Sequence, residues 1–142
     1  MPPTEDCVFC SIAKGSVKSY KVFEGPKTCA ILDINPRNPG HTLVITKKHH
    51  ENIFDLPENE VGDLFNAVRK VSIALKKGMK ADGISIALSN DSAAGQVVKH
   101  IHVHIIPRFS SEDPISVEGM LPLKNISKPE MTKIVARIKN CF

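Results

Sequence analysis

The sequence predicts an α+β fold: about five short strands in an antiparallel sheet, one long helix, and one or two shorter helices including a C-terminal one. Three observations predict it. The β-rich segments are short, and most neighbours are joined by turn-forming residues, which suits antiparallel pairing. One long stretch keeps a helical apolar period. The 142 residues suffice for one core and leave no linker long enough to divide it.

Tyr20–Glu24 and Thr28–Leu32 read as strands around the turn Gly25-Pro26-Lys27, hence a hairpin. Asn35–Gly40, with Pro36 and Pro39, reads as a loop, and the β-branched Thr42–Thr46 as a strand. Asp55 is placed to cap a helix, with Pro57 in its first turn and Glu58 three residues after the cap. Val61, Leu64, Phe65, Val68, Val71 and Leu75 keep the helical period over about twenty residues, and Gly78 is the expected stop. Ile84–Ser89 predicts a strand and Asn90–Gly95 a loop. Val97–Ile106 predicts the last strand, ended by Pro107. Ser110–Asn125 shows no periodicity, and Ser127-Lys128-Pro129-Glu130 opens a C-terminal helix through about Lys139.

The composition excludes several function classes. Apolar residues make up 42% and charged residues 24%, so the chain can fold around a core rather than remain disordered. No stretch approaches the roughly 18 apolar residues of a membrane span. Met1-Pro2-Pro3-Thr4-Glu5-Asp6 lacks the basic start and apolar run of a secretory signal, so a cytoplasmic address is expected, with a nuclear one also open. The net charge of +4 comes without a basic block; the runs are short, Lys47-Lys48 and Lys76-Lys77 among them. With no Trp and only Tyr20, base-stacking platforms are lacking, and no specific nucleic acid is expected as partner. A mildly positive surface favours small anionic ligands.

Cys7 and Cys10 form a C-x-x-C. It can be a redox pair, which normally follows a strand, or half a zinc site, which needs two further ligands. Cys29 lies in an apolar run and reads as core, while Cys141 carries no signal.

His100, His102 and His104 alternate with Ile101, Val103 and Ile105. On a strand this puts three imidazoles on one face, about 7 Å apart at roughly 3.3 Å per residue. A solvated strand face would more often carry Lys, Thr or Glu. Two chemistries remain: a catalytic metal held by His-x-His, or a nucleophilic imidazole attacking phosphorus. The loop before the strand favours the second. Gly95 allows close backbone approach, Gln96 offers an amide to a phosphate oxygen, and only Asp91 supplies a nearby carboxylate.

His100-Ile101-His102-Val103-His104-Ile105-Ile106 resembles the signature of the histidine triad (HIT) superfamily, in its Hint-like or bacterial-type hydrolase branch. Cys7-Val8-Phe9-Cys10, Ile31-Leu32-Asp33-Ile34, Gly40–Ile45, Lys47-Lys48-His49 and Ala94-Gly95-Gln96 extend the resemblance over about residues 7–109. It implies one HIT domain over 1–142, with a core at 7–109 and a C-terminal extension with a helix at 110–142. It also implies a five-stranded antiparallel sheet and a homodimer built partly through the long helix and sheet edges. The implied ligand is a purine nucleotide of the AMP or GMP type. By position, His102 is the nucleophile, giving a nucleotidyl-histidine that water resolves to a nucleoside monophosphate. His104 contacts the phosphate and helps place the leaving group, His100 completes the triad, and His41 supports it by hydrogen bonding. Asp33 accepts the ribose hydroxyls, with Leu32 and Ile34 beside the base. Asn90, Gly95 and Gln96 bind ribose or phosphate.

Val97 departs from the resemblance. Relatives usually carry Ser or Thr there, and only the Val97 backbone N–H remains to meet the α-phosphate. Some relatives also hold structural zinc, and the matching positions are Cys7, Cys10, His49 and His100, with His50 a competitor for His49. No cofactor is expected for catalysis. The function implied is hydrolysis of nucleoside phosphoramidates or related nucleotide conjugates. The alternatives are a nucleotide-binding adaptor with little turnover and a metal-dependent hydrolase.

Overall fold

A computed structural model describes residues 6–142 of the chain. They form an α+β fold with a five-stranded antiparallel sheet, a long central helix and a C-terminal helix. The elements in order are α1 (Val8–Lys14), β1 (Lys21–Glu24), β2 (Thr28–Leu32), β3 (Thr42–Thr46), α2 (Glu58–Gly78), β4 (Gly83–Ala87), β5 (His102–Arg108) and α3 (Lys128–Lys139). The strand order is β1-β2-β3-β5-β4, every neighbouring pair antiparallel. The chain divides into two compact units, Met1–Glu112 and Asp113–Phe142. The second unit holds a short 3-10 turn, Val117–Met120, and α3, whose first turn is capped by the Ser127 hydroxyl accepting from Glu130 N–H.

In the first unit both faces of the sheet are covered, which is why β3 is buried along its whole length. On one face, Leu64, Ala67, Val68, Val71 and Leu75 of α2 pack on Ala30, Val44, Ile101, Val103 and Ile105. On the other, Phe9, Cys10 and Ile12 of α1 pack on Cys29, Ile31, Leu43 and Ile45. The period-2 alternation of the strands thus serves two cores at once.

α1 is seven residues long, too short to show a period in the sequence. Three expected element bounds differ in the structure. α2 begins at Glu58 with Pro57 at the N-cap rather than Asp55, and it runs through Gly78. The strand expected at Ile84–Ser89 is Gly83–Ala87. The strand expected over Val97–Ile106 is His102–Arg108, with Pro107 inside it. Pro107 is tolerated because β3 pairs β5 only as far as Thr42↔Ile105. Beyond that point the Asn38 amide, not a strand, accepts the role of neighbour by donating to the Pro107 carbonyl at 2.8 Å.

Gly40 turns the chain into β3 with φ +88°, and a Cβ there would lie 2.9 Å from Met79 Cγ and 3.1 Å from Pro107 Cγ. Gly40→Ala is expected to cost about 2 kcal/mol through left-handed strain and this crowding. An unchanged urea midpoint would contradict that expectation.

Candidate active site and metal cluster

β5 separates core from chemistry. Val103 and Ile105 are fully buried on the α2 side, while His102 and His104 point to the other face, each half-buried. Their ring centroids are 5.1 Å apart rather than the roughly 7 Å of an ideal strand, because the rings tilt toward each other. Phe9 of α1 meets His102 edge-on at 5.1 Å. His100 precedes the strand, and its ring is fully buried.

Hydrogen-bond partners assign the protons. His102 Nδ1 lies 2.7 Å from the His100 carbonyl oxygen. A carbonyl only accepts, so Nδ1 donates and neutral His102 keeps its lone pair on Nε2. Arg37 N–H donates to His41 Nδ1 at 3.0 Å, which puts the His41 proton on Nε2. His41 Nε2–H donates to His104 Nδ1 at 2.9 Å, so the His104 proton sits on Nε2. One ring therefore offers a lone pair and its neighbour an N–H. Asp33 Oδ2 lies 3.5 Å from His41 Nε2, and its Oδ1 accepts from Asn35 N–H at 2.8 Å.

Burial keeps His104 and His41 neutral. It lowers the His104 pKa to about 4, with His102 and His41 adding to the shift. Burial lowers His41 as well, against the opposing pull of Asp33. Such a group binds a proton more readily in the unfolded chain than in the folded one. Its contribution to stability is complete above the ordinary histidine pKa near 6.5 and is lost as pH falls toward about 4. The melting temperature is expected to fall across that window in wild type, and less steeply in His104→Asn. Parallel curves for the two proteins would count against the shift.

A cavity of about 480 Å³ opens beside the rings. Leu32, Asp33, Ile34, His41, Val97, His102 and His104 line it, together with Val8, Phe9 and Ile12 of α1. Its wall is mostly apolar, with Asp33 as its carboxylate. Val97 is 87% exposed. Asn90, Gly95 and Gln96 are outside this lining. Gln96 ties the loop to the segment before α2: its Oε1 accepts from Asp91 N–H, and its Nε2 donates to the Glu51 and Val98 carbonyls. Asn90 Oδ1 accepts from Ile53 N–H at 2.9 Å. Gly95 takes φ +94° and closes the short 3-10 turn Ser92–Ala94. Phe9 and the Arg37 N–H also belong to the site, beyond the residues expected from the sequence. The first was signalled only by an aromatic residue inside the C-x-x-C, and the second is a backbone group with no signal.

A second cluster lies behind the cavity. Cys7, Cys10, His49 and His100 are all buried, and their ligand atoms lie within 4.8 Å of one another. Cys7 Sγ is 3.3 Å from His100 Nδ1, and Cys10 Sγ is 3.2 Å from His49 Nδ1 and 3.5 Å from His100 Nδ1. Bonds of about 2.0–2.3 Å in a tetrahedral zinc site put neighbouring ligand atoms roughly 3.5 Å apart, so the spacing fits. His100 Nε2–H donates to the Thr46 carbonyl at 2.7 Å, leaving Nδ1 as the ligating atom. Burial lowers the His100 pKa to about 4, which keeps that atom unprotonated. His50 is turned away, with Nε2 3.1 Å from Glu60 Oε2. The four residues could hold a zinc ion. His100 joins the two sites: its ring belongs to the cluster and its carbonyl to His102.

The family model for the HIT domain matches residues 14–111. The chain belongs to the HIT domain family. This HIT protein is 43% identical to an uncharacterised HIT-like protein of Saccharolobus solfataricus over 86% of this chain and 87% of that one. It is 39% identical to the adenylylsulfatase HINT3 of Arabidopsis thaliana, over 72% of this chain and 52% of that protein. It is 35% identical to the adenosine 5'-monophosphoramidase HNT1 of Candida albicans, over 72% and 70%. The crystal structure of SMU.412c from Streptococcus mutans superposes with a TM-score of 0.87 at 34% identity, over 97% of this chain and 86% of that one. No helix among the described residues is long and apolar enough to cross a membrane.

Proposed function

We propose that this HIT protein hydrolyses nucleotide conjugates at the α-phosphorus through a nucleotidyl-His102 intermediate. The observation that carries the reading is the 2.7 Å bond from His102 Nδ1–H to the His100 carbonyl, which leaves Nε2 as a lone pair on a ring that lines the cavity. His102 Nε2 forms a bond to phosphorus as the bond to the leaving group breaks. The carbonyl on Nδ1–H stabilises the positive charge that develops on the ring. His104 Nε2–H donates a hydrogen bond to a phosphoryl oxygen and helps place the leaving group, which takes its proton from solvent. Water then cleaves the P–Nε2 bond, releasing the nucleoside monophosphate and neutral His102.

The substrate class we propose is a purine nucleotide joined to an amine, a sulfate or a second nucleotide. Two relatives support the first two leaving groups by their names, a monophosphoramidase and an adenylylsulfatase. Asp33 would take the ribose hydroxyls, with Leu32 and Ile34 beside the base, all three on the cavity wall. Asn90, Gly95 and Gln96 would act by holding the loop before β5, and Val97 by its backbone N–H. Cys7, Cys10, His49 and His100 would hold a structural zinc ion, which supplies a rigid anchor for α1 and for the His100 carbonyl rather than a reacting group. The working form would be a homodimer.

A second reading, a nucleotide-binding adaptor with little turnover, rests on Val97, whose side chain brings no hydroxyl to the cavity rim. Acid quenching during turnover of adenosine 5'-phosphoramidate, followed by mass spectrometry, separates the two. The hydrolytic reading expects an AMP adduct on His102 and release of AMP. AMP binding without adduct or release would establish the adaptor instead.

A further inference from the structure

We infer that Asn38 and Glu112 are positioning residues for this reaction, holding the backbone N–H that decides whether His104 Nε2 meets substrate as a donor. The inference rests on the hydrolytic reading above and adds a latch remote from the cavity.

Asp33 and His41 stand at the two ends of one closed loop. Asp33 N–H donates to the His41 carbonyl at 2.8 Å, and His41 N–H donates to the Asn38 carbonyl at 3.0 Å. Inside the loop, Arg37 N–H reaches His41 Nδ1 at 3.0 Å. Asn38, the next residue, fastens the loop to the end of β5. Its amide donates to the Pro107 carbonyl at 2.8 Å and to both Glu112 carboxylate oxygens at 2.9 and 3.0 Å. Glu112 is held in turn by Phe109 N–H at 2.7 Å and by the Arg108 guanidinium at 3.7 Å. The Asn38 amide and Phe109 N–H keep its carboxyl below the usual range. Neither Asn38 nor Glu112 lines the cavity.

The consequence follows from counting protons. His41 and His104 carry one each when neutral, and they share the 2.9 Å contact. With Arg37 N–H in place, His41 Nδ1 must accept, so Nε2–H donates and His104 is left with Nε2–H outward. If the loop slides and that N–H withdraws, His41 Nδ1 becomes free to carry the proton. His41 Nε2 then accepts from His104 Nδ1–H, and His104 presents a lone pair to the phosphoryl oxygens. An oxygen that should gain a donor would meet a repelling lone pair. Asn38 therefore acts on chemistry through Arg37 N–H and two imidazoles, without touching substrate.

The test is the imidazole tautomer, read from long-range 1H–15N correlation spectra of the full chain, alongside kinetics on adenosine 5'-phosphoramidate. Wild type is expected to show Nε2–H on both His41 and His104. Asn38→Ala is expected to mix the His41 tautomers and lower kcat about tenfold with KM within about twofold, a partial loss of one donor. Glu112→Gln, which sets an amide against the Asn38 amide, is expected to move both readouts the same way by less. The double variant is expected to lose no more than Asn38→Ala, since both substitutions release one latch. A folded Asn38→Ala with the wild-type tautomer and kcat within about twofold would overturn the inference. Should Asn38→Ala fail to fold, the same spectra of Glu112→Gln decide. The spectra need no substrate, so a wild-type protein that fails to turn over defeats the hydrolytic reading separately from the latch.

Discussion

His102→Ala is expected to lower kcat for adenosine 5'-phosphoramidate by about 10⁵-fold, the scale on which deleting a nucleophile acts. The loss should fall on kcat and leave affinity for AMP nearly intact. The reason is a division of labour between two strands. Leu32, Asp33 and Ile34 line the cavity from the end of β2 and the loop after it, whereas His102 comes from β5. Removing the ring also removes the edge contact to Phe9, so folding must be checked by melting. His104→Ala removes a donor rather than the nucleophile, and a loss of about 10²–10³ in kcat is expected. The ratio between the two variants matters more than either value. Equal, modest losses would say that both rings only bind phosphate, and AMP release by His102→Ala within about tenfold of wild type would remove it as nucleophile.

The site was legible in the sequence where chemistry coincides with strand alternation. His102 and His104 alternate with buried Val103 and Ile105, and β5 delivers them to one face. His100 extends the pattern in the sequence but not in the strand. The strand begins at His102, and the buried His100 ring turns to the thiols of α1. Alternation alone cannot report this, because it depends on a helix seven residues long whose packing is tertiary. Pro107 misled for a related reason. A proline ends a strand only where a ladder partner needs its N–H, and β3 has already stopped. Gln96 and Asn90 carry polar groups suited to a nucleotide, and in the structure they bond the backbone of the loop and of the segment before α2. Polar side chains beside a glycine turn serve either purpose, and the residue type does not say which. The long helix was readable because Leu64, Val68, Val71 and Leu75 keep one face over about three turns. Its start was not, since Asp55 and Pro57 both satisfy the rules for a first turn.

Cys10→Ser is expected to be the most destabilising single change in the protein. Its Sγ touches both His49 and His100, and the residue is almost wholly buried. If the cluster holds zinc, serine weakens the site, and four buried polar groups lose the charge balance that a bound cation provides. A cost of about 3–5 kcal/mol is expected, or roughly 10 °C or more in melting temperature for a domain of this size. Elemental analysis should find about one zinc per chain in wild type and little in Cys10→Ser, and a strong chelator should lower wild-type stability in the same way. The effect should reach the cavity. α1 carries Phe9 and Ile12 into its wall, and the His100 carbonyl fixes the His102 tautomer. Loosening the cluster therefore weakens AMP binding and broadens the His102 imidazole signals, although no ligand atom of the cluster lines the cavity. His50→Gln separates this from a general effect of buried histidines, since His50 contacts Glu60 and should leave metal content unchanged. Wild type that melts at the same temperature with and without chelator, at a confirmed zinc content near zero in the treated sample, would show that Phe9, Cys29, Ile31 and Ile45 hold α1 by packing alone.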